Sequence, residues 1–263
     1  MARHFETTED LKALVFLPPA KDEASGKRRD AFLTLNFGQG PGRFNQGRKA
    51  IANHAISKAK CLEGLAGAPL QTEEQKGVCG AEFMVPVHRF KNGVKEPAKY
   101  CIDQFEFPNK PCELPMVWTA QSAASTVCGM QGKRLCTQEE WSLSCRADPE
   151  GGPDRVYAYG DELDMTICNT NKPHQANAEG RWKCVARDAQ STWATCATET
   201  EPSGAFPKCR SRFGVFDQHG NVAEGMTRME TAGDAGAVMV DQLKGSAFFY
   251  VDVARKHNGA QPK

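Results

Sequence analysis

No stretch of this 263-residue chain approaches the roughly 18 apolar residues that a membrane-spanning helix needs. Neither sign of charge prevails: 33 Lys and Arg stand against 32 Asp and Glu, which leaves no basic field to attract nucleic acid or an anionic membrane. No Cys-x-x-Cys pair occurs, so zinc ribbons and thioredoxin-like sites are poor fits. No repeat of solenoid period is evident. The start, Met1 to Asp10, is too polar for a secretory signal, so the chain is cytosolic or its signal lies outside this sequence.

What is present argues against the cytosol. Eleven cysteines, from Cys61 to Cys209, are spread singly over loop-rich sequence. They read better as disulfide partners in an oxidising compartment, periplasmic or extracellular, than as reduced thiols. The odd count leaves one thiol free or a partner outside the chain, and spacing does not disclose connectivity.

Two textures divide the chain into an N-terminal extension, residues 1–80, and a domain, residues 81–263. In the extension an apolar run, Leu11 to Leu17, precedes Pro18-Pro19 and a polar, charged break from Lys21 to Asp30. Asn36 to Arg43 is a Gly-rich loop by composition. Ala50 to Leu65 is expected to be helical, with Ile51, Ala55, Ile56 and Ala59 on one side. Its basic residues, Arg48, Lys49, Lys58 and Lys60, read as a solvated face. From Phe83 onward short apolar runs alternate with turns. Thr119 to Cys128 reads as a helix with Thr119 as N-cap. Thr137 to Cys145 reads as another, with Thr137 and Glu140 in capping-box spacing and Trp141 and Cys145 on a buried face. Asp148 to Asp154 and Asn169 to Glu201 are polar and Gly/Pro-interrupted, and are expected to be irregular.

Three strings follow in order: Gly132-Lys-Arg-Leu-Cys-Thr-Gln-Glu-Glu-Trp141, Phe213-Gly-Val-Phe-Asp-Gln-His-Gly-Asn-Val-Ala-Glu224 and Leu243-Lys-Gly-Ser-Ala-Phe-Phe249. Arg134 sits where a planar guanidinium can pair with a carboxylate in a partly buried site, or lie exposed at a strand start. Gly214, Gly220 and Gly245 mark close backbone approach or positive φ. Phe213, Val215 and Phe216 read as a short buried strand leading into the turn. Asp217, Asn221 and Glu224 place three oxygen-bearing side chains within eight residues, a spacing that suits a hard cation and also a polar turn with an Asx cap. His219, at the turn tip, is given no role.

These strings, with Tyr100 to Asn109, Tyr157-Ala-Tyr-Gly-Asp161, Cys168-Asn169 and Ser203-Gly-Ala-Phe-Pro207, resemble the formylglycine-generating enzyme, or sulfatase-modifying factor, family. The resemblance spans roughly residues 83 to 249. It implies an α+β, irregular, loop-rich fold of the C-type-lectin-like kind. It also implies calcium at the turn, held by Asp217, the carbonyls of Gly220 and Val222, and Glu224. A second calcium site would begin at Asn169 and Thr170, but its later ligands have no clear counterpart before Ser203. Ala223 and Gly225 stand where the family has aromatic residues around its glutamate.

The family's chemistry converts a cysteine of an unfolded sulfatase segment to formylglycine, using oxygen and a copper(I) ion on two thiolates, the soft ligands that copper(I) demands. Those cysteines lie just after the third string, five residues apart. Aligned on Leu243 to Phe249 they fall at Tyr250 and Arg255, or at Phe249 and Ala254 after a one-residue slip, and no cysteine follows Cys209. Copper is therefore not expected, and no catalytic or cofactor-binding residue is assigned. The family's closing strand, ending in Gly-Phe-Arg, has no counterpart before Lys263, so the chain is expected to be a fragment or to be closed by another segment. The expected function is a secreted binding or structural module that presents loops from Asn169 to Glu201 to a protein, peptide or glycan. The alternative is a formylglycine-generating or related oxidative enzyme of the same family; the His-x3-His-x-Glu spacing of its iron-dependent members is absent from residues 1–80.

Overall fold

The computed structural model describes residues 4–15, 17–170, 172, 184–185, 187–231 and 237–248. Among them the fold is α+β and loop-rich, with seven short helices and three separate two-stranded antiparallel sheets. None of these helices is long and apolar enough to cross a membrane.

The N-terminal part is more regular than its polarity suggests. Helix α1 (Thr8–Leu14) starts from Thr7, which forms a capping box with Asp10. Helix α2 (Glu23–Asn36) occupies the stretch read as a polar break: Asp22 accepts from the amide of Ser25 at 2.6 Å, and this local cap starts a helix that its weak apolar pattern does not announce. Leu11 and Leu33 point inward and join Phe5, Val15, Phe44 and Met116 in one core cluster with helix α5 (Gln121–Met130).

Helix α3 (Lys58–Leu65) begins later than the expected Ala50. The chain first turns at residues 49–51, the amides of Ala55 and Ile56 then donate to the Glu201 carboxylate at 3.2 and 2.9 Å, and Ser57 caps the helix. Helix α4 (Glu73–Cys79) follows, then strand β1 (Met84–Val87), which pairs with β4 (Tyr100–Asp103). Between them β2 (Phe90–Lys91) and β3 (Val94–Lys95) form a hairpin through Asn92 and Gly93, both at positive φ as a tight hairpin turn requires.

Helix α5 starts after Ala120, without the side-chain cap expected from Thr119, whose hydroxyl turns back to the Val117 carbonyl. Helix α6 (Gln138–Arg146) has the Thr137–Glu140 capping box and buries Trp141 and Cys145, as the sequence predicts. Helix α7 (Ala189–Thr195) lies in the stretch expected to be irregular, started by an Asp188–Ser191 box. Phe213, Val215 and Phe216 are buried as expected, but they form no strand; Phe216 makes one isolated bridge with Arg210. The chain ends its described part in a hairpin, β5 (Glu224–Thr231) with β6 (Ala237–Lys244).

Eight cysteines form four disulfides: Cys61–Cys112, Cys79–Cys101, Cys168–Cys209 and Cys184–Cys196. Two of them tie residues before 81 to residues beyond it, and Cys61 and Leu65 pack with Phe105, Cys112 and Phe216 in one cluster. Cys128, Cys136 and Cys145 are free thiols.

A buried carboxylate cluster around residues 217 to 224

The turn from Asp217 to Glu224 is held from three sides. The Asn221 amide donates to the Asn169 carbonyl at 2.9 Å, and the Phe248 amide donates to the Asn221 carbonyl at 3.1 Å. From the third side the Val222 amide donates to Glu106 Oε1 at 3.0 Å. The backbone bends through positive φ at Asp217, Gly220 and Asn221. Asp and Asn tolerate that conformation, and Gly220 is required there: a Cβ would lie 2.5 Å from the Asn169 carbonyl oxygen and 2.7 Å from Thr170 Cγ2. The residues expected for two separate sites thus touch. Asn169 and Thr170 pack directly on the turn that carries Asp217, Gly220, Val222 and Glu224.

Glu106, unassigned by the sequence reading, is the hub. Its Oε2 accepts from Ser203 Oγ at 2.9 Å and from Asn221 Nδ2 at 2.6 Å. Asp217 accepts from the Gly204 amide at 2.6 Å, and Glu224 accepts from the Trp141 indole N–H. Among the described residues, no Lys, Arg or His forms an ion pair with Glu106, Asp217 or Glu224. Burial pushes the Asp217 carboxyl up to about 7 despite its Gly204 bond. Burial, and then the Asp217 charge, push Glu224 up to about 7 against the Trp141 bond. Glu106 is raised well above its ordinary value by burial first, then by Asp217 and Glu224. Three carboxyl groups that repel one another in a dry site need either protons or a cation.

Asp217 and Glu224, each with a single neutral hydrogen-bond donor, are oxygen ligands of the kind a hard cation takes. Among the described residues no three His, Cys, Asp or Glu side chains gather as a metal site, so carbonyl oxygens would have to complete any shell around these two carboxylates. Glu106 accepts from Ser203, Asn221 and Val222 and so braces the turn. The second group is less complete. Asn169 Oδ1, Glu199 Oε2 and Thr200 Oγ1 are buried without hydrogen-bond partners, while Asn169 Nδ2 donates to the Glu199 carbonyl at 3.0 Å and to Asn221 Oδ1 at 2.8 Å.

Several sequence expectations find their place here. Residues 196–201 are buried, so the end of the stretch from Asn169 to Glu201 is core rather than a presented loop; Thr198 fills the space beside Gly47, and Glu201 anchors Ala55 and Ile56. Residues 171, 173–183 and 186 lie outside the described residues, as do Phe249, Tyr250, Ala254 and Arg255. Arg134 pairs with Glu140 through two bonds of 2.6 and 2.5 Å, on the surface rather than in a buried site. His219 is partly buried, edge-on to Tyr157 and Tyr159, with Nε2 3.6 Å from Cys145 Sγ. The pattern Phe105-Glu-Phe-Pro108 was the one visible hint of Glu106, an acid between two aromatic residues.

Comparison with known proteins places the chain among its relatives. Two relatives named "Inactive C-alpha-formylglycine-generating enzyme 2", from Bos taurus and Mus musculus, are each 28% identical to the chain, over 144 and 142 residues. Each alignment covers 51% of the chain, but only 42% of the bovine and 41% of the mouse protein, so the chain spans less than half of these relatives. A family model described as "Sulfatase-modifying factor enzyme 1-like domain" matches residues 45–261, which include Glu106, Asn169 and the whole turn from Asp217 to Glu224. With that match over most of its length, the chain belongs to the sulfatase-modifying factor family.

Proposed function

We propose that the chain is a non-catalytic member of this family, a module that binds a protein, peptide or glycan in an oxidising compartment outside the cytosol. One observation carries the reading: aligned on Leu243 to Phe249, Tyr250 and Arg255 stand where the family's copper-binding thiolates are expected. Neither phenol nor guanidinium offers copper(I) the soft sulfur it requires. The remaining thiols are poor substitutes. Burial pushes Cys128 up to about 11, and Cys136 and Cys145 up to about 12, which keeps all three protonated near neutrality. The names of the bovine and mouse relatives, which call those proteins inactive, support the same reading. Four disulfides support the compartment.

Calcium is the structural ion of this reading. Asp217 and Glu224, with the carbonyls of Gly220 and Val222, would hold it, and Asn169 and Thr170 would contribute to a second position beside the first. Bound calcium would supply the positive charge that the buried carboxylates lack and fasten the turn to the start of β5. Asp217 and Glu224 offer the site, while Glu106, Asn221 and Trp141 hold those carboxylates and their turn in place.

Two experiments test these statements. The copper(I)-treated protein, given oxygen and a cysteine-containing sulfatase peptide, is expected to form no aldehyde detectable by hydrazide capture; sustained turnover would establish the alternative, an oxidative enzyme. In thermal melts at pH 7.5, millimolar calcium is expected to raise Tm by several degrees, as ligand linkage requires. Asp217→Asn and Glu224→Gln should each abolish that shift. A parent protein indifferent to calcium removes the ion from the reading.

A further inference from the structure

His4, ahead of α1, and His54, ahead of α3, bring their Nε2 atoms to 2.8 Å. Their ring centroids are 4.8 Å apart and the planes are inclined at 46°, so the rings meet at their nitrogen edges instead of stacking. Backbone bonds hold both segments. The Phe5 amide donates to Gln46 Oε1 at 2.9 Å. On the other side the amides of Asn53 and Ala55 donate to the Thr198 carbonyl at 2.9 Å and to Glu201 Oε1 at 3.2 Å.

His54 is set up as a metal ligand. Its Nδ1 donates to the Thr200 carbonyl, which leaves the Nε2 lone pair facing His4. Metal-bound imidazoles nearly always have their second nitrogen held in this way, because the bond fixes tautomer and ring orientation together. Among the described residues nothing bonds His4 Nδ1, so that ring can carry its hydrogen there and offer its own Nε2 lone pair. Two ligands at right angles, each about 2.0 Å from a metal, stand about 2.8 Å apart, the separation already present. Tetrahedral ligands would need roughly 3.3 Å. The spacing therefore suits adjacent corners of a tetragonal or octahedral ion, Cu(II) or Ni(II), better than zinc.

Local charge does not forbid a cation. Lys49, which disfavours charge on His4, pairs with Glu6, and Lys172, which does the same at His54, pairs with Glu201 at 3.0 Å. Burial, then His54 and Lys49, hold His4 at about 4 against Glu6, and burial lowers His54, so protons do not compete for either ring near neutrality. His4 also lines a cleft of about 530 Å³, which gives an ion and its water ligands a way in.

We propose that His4 and His54 form a binding site for one imidazole-seeking divalent ion, Cu(II) or Ni(II), held by the two Nε2 atoms with water completing its shell. On binding, the hydrogen leaves His4 Nε2 and one is taken up at Nδ1, so the ring stays neutral and no net proton is released. The ion clasps the segment before α1 to the segment before α3. Among the described residues no third His, Cys, Asp or Glu joins the pair, so the expected affinity is micromolar rather than nanomolar. Calcium, a hard ion that takes oxygen, does not compete here, and failure of this site would leave the proposed function standing.

The probe is Ni(II), titrated calorimetrically at pH 7.5 into the full, metal-stripped chain without a histidine tag, in millimolar calcium so that oxygen sites are filled. One ion per chain is expected to bind saturably. His4→Gln and His54→Gln should each weaken binding at least tenfold, and the double variant should bind no more weakly than either, since one imidazole alone does not chelate. His54→Gln leaves the segment before α1 untouched, so it separates this pair from metal held by His4 with the chain terminus. Cu(II) on the parent should show two imidazoles by electron spin-echo modulation, and one in His54→Gln. Melting curves separate lost binding from lost folding; if the glutamine variants are unfolded, the imidazole count in the parent decides. Absence of saturable binding by the parent, unchanged affinity in a folded His54→Gln, or fewer than two imidazoles around Cu(II) overturns the proposal.

Discussion

Asn221 satisfies four groups with one side chain. Its Nδ2 donates to Glu106 at 2.6 Å and to the Glu201 carbonyl at 3.0 Å, while Oδ1 accepts from Asn169 Nδ2 and from the Glu201 amide, both at 2.8 Å. Every partner is buried, so removing the amide leaves donors and acceptors stranded. Asn221→Ala should cost about 3 kcal/mol or more in chemical denaturation. The backbone adds to this because Asn221 sits at φ 56. Asn221→Gly relieves that part and should recover roughly 1 kcal/mol. If both variants lie within about 0.5 kcal/mol of the parent, the network is not holding the turn.

His4 and His54 make a second residue-scale case. Their Nε2 atoms are 2.8 Å apart, and His54 Nδ1 faces the Thr200 carbonyl, which can only accept. His54 Nδ1 thus carries a proton, and its Nε2 accepts from His4. A second proton on His54 would set two N–H groups against each other. Burial lowers His54 and Lys172 adds to that, while Thr200 and Glu201 oppose it; His4 is held at about 4 by burial, His54 and Lys49 against Glu6. Both folded values lie below the ordinary 6.5, so the unfolded state binds more protons between about 6.5 and about 4. Docking of the N-terminal segment is therefore complete above that window and weakens as pH falls through it. Hydrogen exchange at the Leu11 and Val15 amides, corrected for intrinsic rate, should show protection declining from pH 7 to 4.5, with His4→Phe flattening the dependence. Constant protection in the parent would contradict this.

Among the elements, helix α6 is the most completely determined by its own residues. Thr137 Oγ1 accepts from the Glu140 amide at 3.3 Å, and Glu140 Oε2 accepts from the Thr137 amide at 2.9 Å. Thr137→Ala should lower stability by about 1 kcal/mol, and Thr137→Ser or Thr137→Asp should restore most of it. Equal stability of the alanine variant would mean that burial of Trp141 and Cys145 alone sets this helix. Features of this range were legible in the sequence: the capping box, the buried face of α6, and the positive φ of Gly214, Gly220 and Gly245. Helices α2 and α7 were not, because local caps start them in polar stretches with little apolar periodicity, and α1 was not because its cap at Thr7 stands ahead of the apolar run it enters. The late start of α3 was beyond reach for another reason, since it depends on Glu201, about 145 residues away. At the candidate site Asp217 and Glu224 could be named from spacing, whereas Glu106 meets Asn221 across 115 residues and no local pattern encodes that contact.

For the molecule as a whole, the cysteines set how the pieces are joined. Eleven scattered cysteines implied disulfides but not their partners, since pairing depends on which loops the fold brings together. In the structure Cys61–Cys112 and Cys79–Cys101 fasten α3 and α4 to the body, Cys168–Cys209 ties the segment carrying Asn169 to the chain just before the turn, and Cys184–Cys196 clamps α7. Of the three remaining thiols, Cys128 and Cys136 are half-buried, and Cys145 is fully within the core beside Trp141, Ala158 and Met226. A thiol reagent should therefore find at most two slowly reacting groups on the native protein, three after unfolding without reductant, and eleven after unfolding with reductant. Eleven reactive groups without reductant would place the protein in a reducing compartment and remove one support of the proposed function. The bridges should also differ in consequence. Cys61–Cys112 closes a span of 51 residues, and its loss in a Cys61→Ala/Cys112→Ala variant removes roughly 4 kcal/mol of constraint on the unfolded chain. Cys184–Cys196 closes 12 residues, and its removal should cost less in global stability while freeing α7. Hydrogen exchange at the amides of α7 should then quicken more than the melting temperature falls. Such a split between local and global stability would separate the two roles of these bridges, one holding the domain together and the other holding a single helix in place.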